Sequence, residues 1–299
     1  MTKFSNAQCK QLASDILGAR TITDQIGYLS AAIDSLPRDA PGWRTALLKL
    51  KLWLIDARML GVDNAKPAYS IFSKGNGKLP FWSFSALPGV TCPGAGECLE
   101  FCYSFTAWRF PYAFARQLQN TLLLRSEGGR QAVRNAFDAL RQDAIVRLYV
   151  DGDFESIDIV RFWFDALGNR QDVRAYGYSK SWVELLAYAE LGNAFPANYV
   201  LNLSSGSVHS DDMRARMLAL PITRGDFVAL DIDTAGLPRG VKRYSSRDYH
   251  NRVRLSALET IGARVFSCPG KCGECRFKSG MHACGDRDFV VPIGIGVHG

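Results

Sequence analysis

The sequence predicts an α/β fold: a partial (β/α) barrel of parallel strands, with an N-terminal helical region before it and a C-terminal cysteine-rich extension after it. Three observations carry that prediction. Residues 1 to about 66 show only helical periodicity. From Leu79 onward, short runs rich in branched and aromatic residues alternate with longer runs of helical spacing. The short runs recur at roughly 25- to 35-residue intervals, the length of a βαβ unit. An open doubly wound sheet is the main competing arrangement.

The elements follow in order. "QLASDILGA", "DQIGYLSAAIDSL" and "GWRTALLKLKLWLIDARMLG" repeat apolar residues three and four apart, which predicts helices; "LPRDAPG" (Leu36–Gly42) breaks them, and "SKGNGK" (Ser73–Lys78) reads as a loop. "LPFWSFSA" (Leu79–Ala86) is a strand leading into a first group of cysteines. "PYAFARQLQNTLLLRS" and "GRQAVRNAFDALRQ" are helices. Strands are then expected at Ile145–Val150, Val173–Tyr178, Asn198–Leu203, Phe227–Ile232 and Ala263–Ser267. Between them "SIDIVRFWFDALGN", "SWVELLAYAELG", "SDDMRARMLAL" and "DYHNRVRLSALETIG" carry helical spacing. The expected division is therefore 1–70 helical, 71–266 barrel-like with the first cysteine group, and 267–299 cysteine-rich and metal-binding.

At 299 residues, with 47% hydrophobic and 22% charged residues, the chain suits one large α/β domain or two modest ones. The N-terminal stretch "MTKFSNAQCKQLASDILGAR" has no apolar core before a cleavage site, and no apolar run reaches the roughly 18 residues a membrane helix needs. The expected location is the cytoplasm, with no membrane partner. Stable disulfides are disfavoured in that reducing compartment. The net charge of +7 permits polyanion binding.

Seven of the eight cysteines fall in two groups: Cys92, Cys98 and Cys102 with spacing C-x5-C-x3-C, and Cys268, Cys272, Cys275 and Cys284 with spacing C-x3-C-x2-C-x8-C. Both open with Cys-Pro-Gly, and Gly94, Gly96, Gly270 and Gly273 let the backbone wrap closely around a bulky centre. Cys9, standing alone, reads as a small buried hydrophobe. Structural zinc takes four Cys or His ligands. The second group satisfies that alone or with His282, whereas the first would need a distant fourth ligand. Iron–sulfur fits the pair better. Four thiolates close a [4Fe–4S] cube, and three leave one iron open to a substrate or cosubstrate. Zinc stays open as an alternative, above all for the second group.

"SKGNGKLPFWSFSALPGVTCPGAGECLEFCYS", continuing into "AWRFPYAFARQLQNTLL", resembles the phage and plasmid gene product 88 family over roughly Ser73 to Asp286. That resemblance implies a mobile-element protein and little about its activity. More distantly, the layout is similar to that of radical S-adenosylmethionine enzymes. There a three-cysteine loop after the first barrel strand holds an open cluster that chelates the cosubstrate, and Phe101 stands before Cys102 as an aromatic residue commonly does. "DGDF" stands where a Gly-rich acidic turn follows the second strand, so the resemblance implies that Asp151, Gly152 and Asp153 help seat S-adenosylmethionine. The second group then resembles an auxiliary cluster. The usual loop is C-x3-C-x2-C, and this chain departs from it.

Other polar residues stand at strand ends: Ser179, Lys180, Ser204, Ser205, Asp231 and Asp233. Each is also a good residue for capping the helix that follows. "GIGVHG" matches G-x-G-x-x-G, but no helix follows it in the sequence, and His209, His250 and His298 read as surface or satisfied residues. Arg239, Lys242, Arg243 and Arg247, with Tyr244 and Tyr249 among them, form a nucleic-acid candidate or a solvated helix face.

Two functions stand open. One is a cytoplasmic iron–sulfur protein with a radical-enzyme-like barrel, served by an electron donor and, if it is an enzyme, passing an electron to S-adenosylmethionine. The other is a non-enzymatic, metal-stabilised nucleic-acid-binding or host-interaction protein holding zinc or iron–sulfur.

Overall fold

Three helices open the chain, and the first two are started by their own first residues. In α1 (Asn6–Gly18), Ser5 and Gln8 exchange side-chain-to-backbone hydrogen bonds of 3.2 and 2.8 Å; Thr21 and Asp24 do the same for α2 (Ile22–Ser35). Pro41 begins α3 (Pro41–Leu60), where its missing N–H costs nothing. The computed structural model describes residues 4–37, 39–75, 79–100, 102–272, 274–275 and 282–297. The expectations placed on Phe101, Gly273, His298 and the last three residues of the "SKGNGK" loop lie outside the described residues.

The chain divides into two compact units. The first comprises Met1–Ser73, Phe84–Thr91 and Cys102–Leu140. Its helices are α1 to α3, then α4 (Tyr103–Ala107), α5 (Pro111–Leu124) and α6 (Glu127–Asp138). Trp43 packs between Phe4 and Phe114, with ring centroids 5.0 and 5.6 Å away, and Phe72 packs between Phe84 and Phe137. One face of α5 is buried and polar. Gln119 exchanges two hydrogen bonds with the backbone of Tyr69, Asn120 donates to the carbonyls of Ile71 and Ser85, and Thr121 accepts from the Leu87 N–H. These bonds satisfy irregular backbone on both sides of the first strands, which buried chain requires.

The second unit comprises Lys74–Ser83, Cys92–Phe101 and Arg141–Gly299. Among the described residues, eight strands form one sheet: β1 (Ser73–Lys74), β2 (Trp82–Ser83), β3 (Ile145–Leu148), β4 (Arg174–Ser179), β5 (Tyr199–Ser204), β6 (Thr223–Asp231), β7 (Phe266–Ser267) and β8 (Ile293–Val297). Their order is β1-β2-β3-β4-β5-β6-β8-β7, and every pair from β2 to β7 is parallel. The sheet is open, with β1 and β7 at its edges. The crossovers are made by α7 (Ile157–Gly168), α8 (Trp182–Glu190), α9 (Asp211–Leu218) and α10 (Arg247–Ile261), with α7 against α8 and α8 against α9.

Side chains alternate between the two faces of a strand. Tyr176, Tyr178, Val200, Phe227 and Ile293 fall in one cluster with Leu79, Phe81 and the second cysteine group. On β6, Val228 and Leu230 instead join Tyr249 and Val253 of α10.

Sequence reasoning did not anticipate β8. Glycine lowers strand propensity, and "IGIGV" is two-fifths glycine. The structure explains both residues. A Cβ on Gly296 would stand 2.4 Å from Ile232 Cδ1 and 3.0 Å from Tyr249, and one on Gly294 would stand 2.8 Å from Val265. Bare backbone lets α10 press onto the sheet. The C-terminal region is therefore not simply an extension, because it supplies a strand flanked by β6 and β7.

Tyr249, fully buried, uses its hydroxyl to accept from the Gly296 N–H at 3.0 Å. Tyr249→Phe should lower unfolding stability by about 1–3 kcal/mol by orphaning that donor, read from urea denaturation curves. An unchanged midpoint would mean that Gly296 finds another acceptor.

Candidate functional site

Cys268 leaves the end of β7, its N–H donating to the Gly294 carbonyl at 2.8 Å. Gly270, at φ 69°, turns the chain back so that its own N–H points at Cys268 Sγ, 3.4 Å away. Cys284 lies in a short 3₁₀ turn, Ala283–Gly285, packed on β4 and β5. Asn202 of β5 fixes that turn by donating to the Cys284 carbonyl at 2.9 Å and to Gly177 O at 3.0 Å. Cys272 and Cys275 pack against the same aromatic face. The chain thus brings Cys268, Cys272, Cys275 and Cys284 to one side of one sheet.

The surroundings are apolar but directed at sulfur. Burial pushes the Cys268 thiol up to about 12 and the Cys284 thiol well above its ordinary range, and each is pushed further by its cysteine neighbours. The Tyr176 hydroxyl lies 4.0 Å from Cys272 Sγ, and the Tyr178 hydroxyl donates to Cys284. Burial raises both phenols well above their usual value, which keeps their protons in place for donation. The Arg147 guanidinium stacks 4.6 Å from the Tyr178 ring and lowers the cost of a thiolate at Cys268. His282 is sandwiched as an aromatic, stacked on Phe81 at 4.8 Å and edge-on to Tyr176 at 4.2 Å.

Arg224 of β6 ties the C-terminal region down. It is 4% exposed and donates to Asn202 Oδ1, to the carbonyls of Phe289 and Val291, and to Asp226 O, over 2.6 to 2.9 Å. Burial draws its pKa below the ordinary value, opposed by nearby Cys284, Tyr178 and Asp226.

The first group is divided. Cys92 and Cys98 belong to the second unit, while Cys102 precedes α4 in the first. The loop between Cys92 and Cys98 docks at the C-terminal ends of β4 and β5. Gly96 N and Cys98 N both donate to Gly206 O, and Val208 N donates to Gly94 O. A Cβ on Gly94 would stand 1.7 Å from the Lys180 carbonyl and 2.5 Å from His209 Nε2. Gly94→Ala should therefore displace the loop. Hydrogen–deuterium exchange should show faster exchange at the Gly96, Cys98 and Val208 amides, and wild-type protection would contradict the docking.

Asp151, Gly152 and Asp153 follow β3, with Gly152 turning the chain at φ 80°. Asp153, 5% exposed, accepts from Ser179 Oγ, Lys180 N and Phe154 N over 2.7 to 2.8 Å. Burial holds its carboxyl above the usual range, against those three bonds. Of the other strand-end residues, Lys180 Nζ donates to Ser204 Oγ at 2.7 Å, Ser205 Oγ accepts from Ala229 N, and Asp233 pairs with Arg252. His209 stacks on Trp182 and donates through Nε2 to Lys180 O at 2.8 Å.

Sequence reasoning missed Arg147, Asn202 and Arg224. Arg147 and Asn202 do leave a signal: each is a polar residue inside an otherwise apolar strand.

A family model described as gene product 88 matches residues 58–284. The chain belongs to the gene product 88 family. The match begins in the last turn of α3, ends at Cys284 and contains both cysteine groups, while β8 lies beyond it. No curated protein and no solved structure matches the chain.

In this gene product 88 protein none of the eight cysteines is in a disulfide. Among the described residues, no three His, Cys, Asp or Glu side chains stand grouped so as to share one metal ion, and no helix is long and apolar enough to cross a membrane. The basic run occupies a 3₁₀ turn, Gly240–Ser245, and the start of α10. Arg239, Lys242 and Arg247 are exposed and Arg243 is half-buried. Tyr249 belongs to the core with Val228 and Val253, and Tyr244 packs against that core. The interleaved aromatic rings expected to stack on bases are therefore committed to packing at Tyr249.

Proposed function

We propose that this family member is an iron–sulfur protein of a mobile element. A closed cluster would be held by Cys268, Cys272, Cys275 and Cys284, and an open one by Cys92, Cys98 and Cys102. The observation that carries the reading is the gathering of the four C-terminal thiols on the aromatic face of the sheet, under Tyr176, Tyr178 and Arg147. Zinc is the alternative at this group, since four thiolates also close around a single ion. Amide and hydroxyl donors aimed at sulfur, as from Gly270, Tyr176 and Tyr178, are what an anionic cluster needs around it. A cluster there supplies one-electron chemistry.

The finer reading is a partial barrel of the radical-S-adenosylmethionine kind. It is supported by parallel strands β2 to β6 standing in chain order, with the first cysteine loop after β2 and Asp151–Asp153 after β3. In this reading Asp153 acts by holding Ser179 and Lys180, which shape the mouth beside the loop.

Anaerobic purification with iron, sulfide and zinc analysis tests the proposal. Brown protein absorbing at about 400 nm supports it, and a colourless zinc protein overturns it. Adding S-adenosylmethionine to the reduced protein should alter its paramagnetic resonance signal. An unaltered signal would remove the cosubstrate and leave an electron-transfer or structural cluster.

A further inference from the structure

The basic turn and the second cysteine group are neighbours. Gly270 lies so close to Tyr244 that a Cβ there would stand 2.4 Å from the ring. His250 Nδ1 meets Ser267 Oγ at 2.8 Å, one residue before Cys268. The cations on either side of Tyr244 therefore border the loop that carries Cys268 and Cys272.

Those cations are unneutralised. Among the described residues, Arg239, Lys242, Arg243 and Arg247 have no ion-pair partner, and Arg243 only donates to the Pro238 carbonyl. Their position is also unfavourable for folding. Arg247 is the first residue of α10, where the helix dipole disfavours positive charge, and no side chain caps that end. Lys242 and Arg243 precede it by a few residues. Asp248 is the acidic residue of that first turn, and among the described residues no ion pair joins it to any of the four cations, so a negatively charged partner is the natural explanation.

We infer that this surface is the docking site of an acidic one-electron carrier protein that reduces the second centre. The inference rests on the iron–sulfur reading of that centre. An acidic protein suits the surface better than a nucleic acid. Tyr249 is buried and offers no stacking platform, and the surface borders the cysteines themselves. The step is an outer-sphere transfer: the reduced carrier loses one electron, the cluster gains it, and no bond forms or breaks.

The test uses the full chain, purified with its iron. Its reduction is followed by stopped-flow absorbance with a reduced acidic flavodoxin, and separately with photoreduced deazariboflavin, an uncharged small donor. The triple variant Arg239→Gln, Lys242→Gln, Arg247→Gln changes three exposed residues. It should lose about tenfold or more in flavodoxin rate at low salt, keep its deazariboflavin rate and keep its iron. Arg141→Gln with Arg174→Gln, exposed cations away from the turn, should change neither rate.

An iron-loaded variant that flavodoxin reduces at the wild-type rate overturns the docking site and leaves the cluster standing. Salt-dependent binding of generic DNA that the triple variant loses, with the flavodoxin rate unmoved, gives the surface to nucleic acid and also overturns it. Wild-type protein without iron or sulfide overturns the cluster, and the docking site with it.

Discussion

Arg224→Ala should destabilise the protein by about 3–5 kcal/mol, the cost of breaking a buried charged network. The guanidinium serves Asn202 Oδ1 and three backbone carbonyls, at Asp226, Phe289 and Val291. Alanine leaves all four acceptors buried without their donor. It also frees Asn202, which orients the Cys284 turn. Arg224→Lys is the sharper variant. It keeps the charge, but one ammonium cannot span β5, β6 and the 289–291 segment as a planar fork does. Both variants should lower the urea midpoint, and lysine should recover only a minor share of the loss. Full recovery by lysine would mean that charge alone matters at this position.

Cys284→Ala should have the largest effect on cofactor content. On the two-cluster reading proposed above, iron should fall from about eight atoms per chain to about four, with a matching loss of sulfide. Cys9→Ala serves as the control. Cys9 is fully buried in α1, and burial alone pushes its thiol up to about 12, so it is an inert packing group. Its replacement should cost stability without changing iron. Equal iron in the Cys284 variant and wild type would remove Cys284 from the ligand set. Cys268→Ala, whose sulfur receives the Gly270 N–H, should repeat the Cys284 result and guard against a purely local packing effect.

The legible part of the fold was its long amphipathic helices and its apolar strands. α7 buries Ile159, Val160, Phe162, Trp163 and Phe164, and such a run announces itself. The strand at β8 did not, because its glycines answer to Ile232, Val265 and Tyr249, neighbours remote in sequence. The second cysteine group was legible from spacing alone. Its lining was not, since Arg147, Tyr176, Tyr178, Asn202 and Arg224 meet it only through strand order and face alternation. The basic turn was legible as charge, but its closeness to Gly270 is a property of the folded chain.

The place of β8 bears on biosynthesis. The strand that fills the gap between β6 and β7 is the last of the eight to be translated. Until residues 293–297 clear the ribosome, β6 presents a bare edge able to recruit a stray strand from another nascent polypeptide. Residues 268–284 stand only a short way ahead of that strand in the sequence, so the cysteine loop and β8 emerge almost together. Deleting residues 293–297 should therefore leave the facing edges of β6 and β7 bare and drive the protein into inclusion bodies.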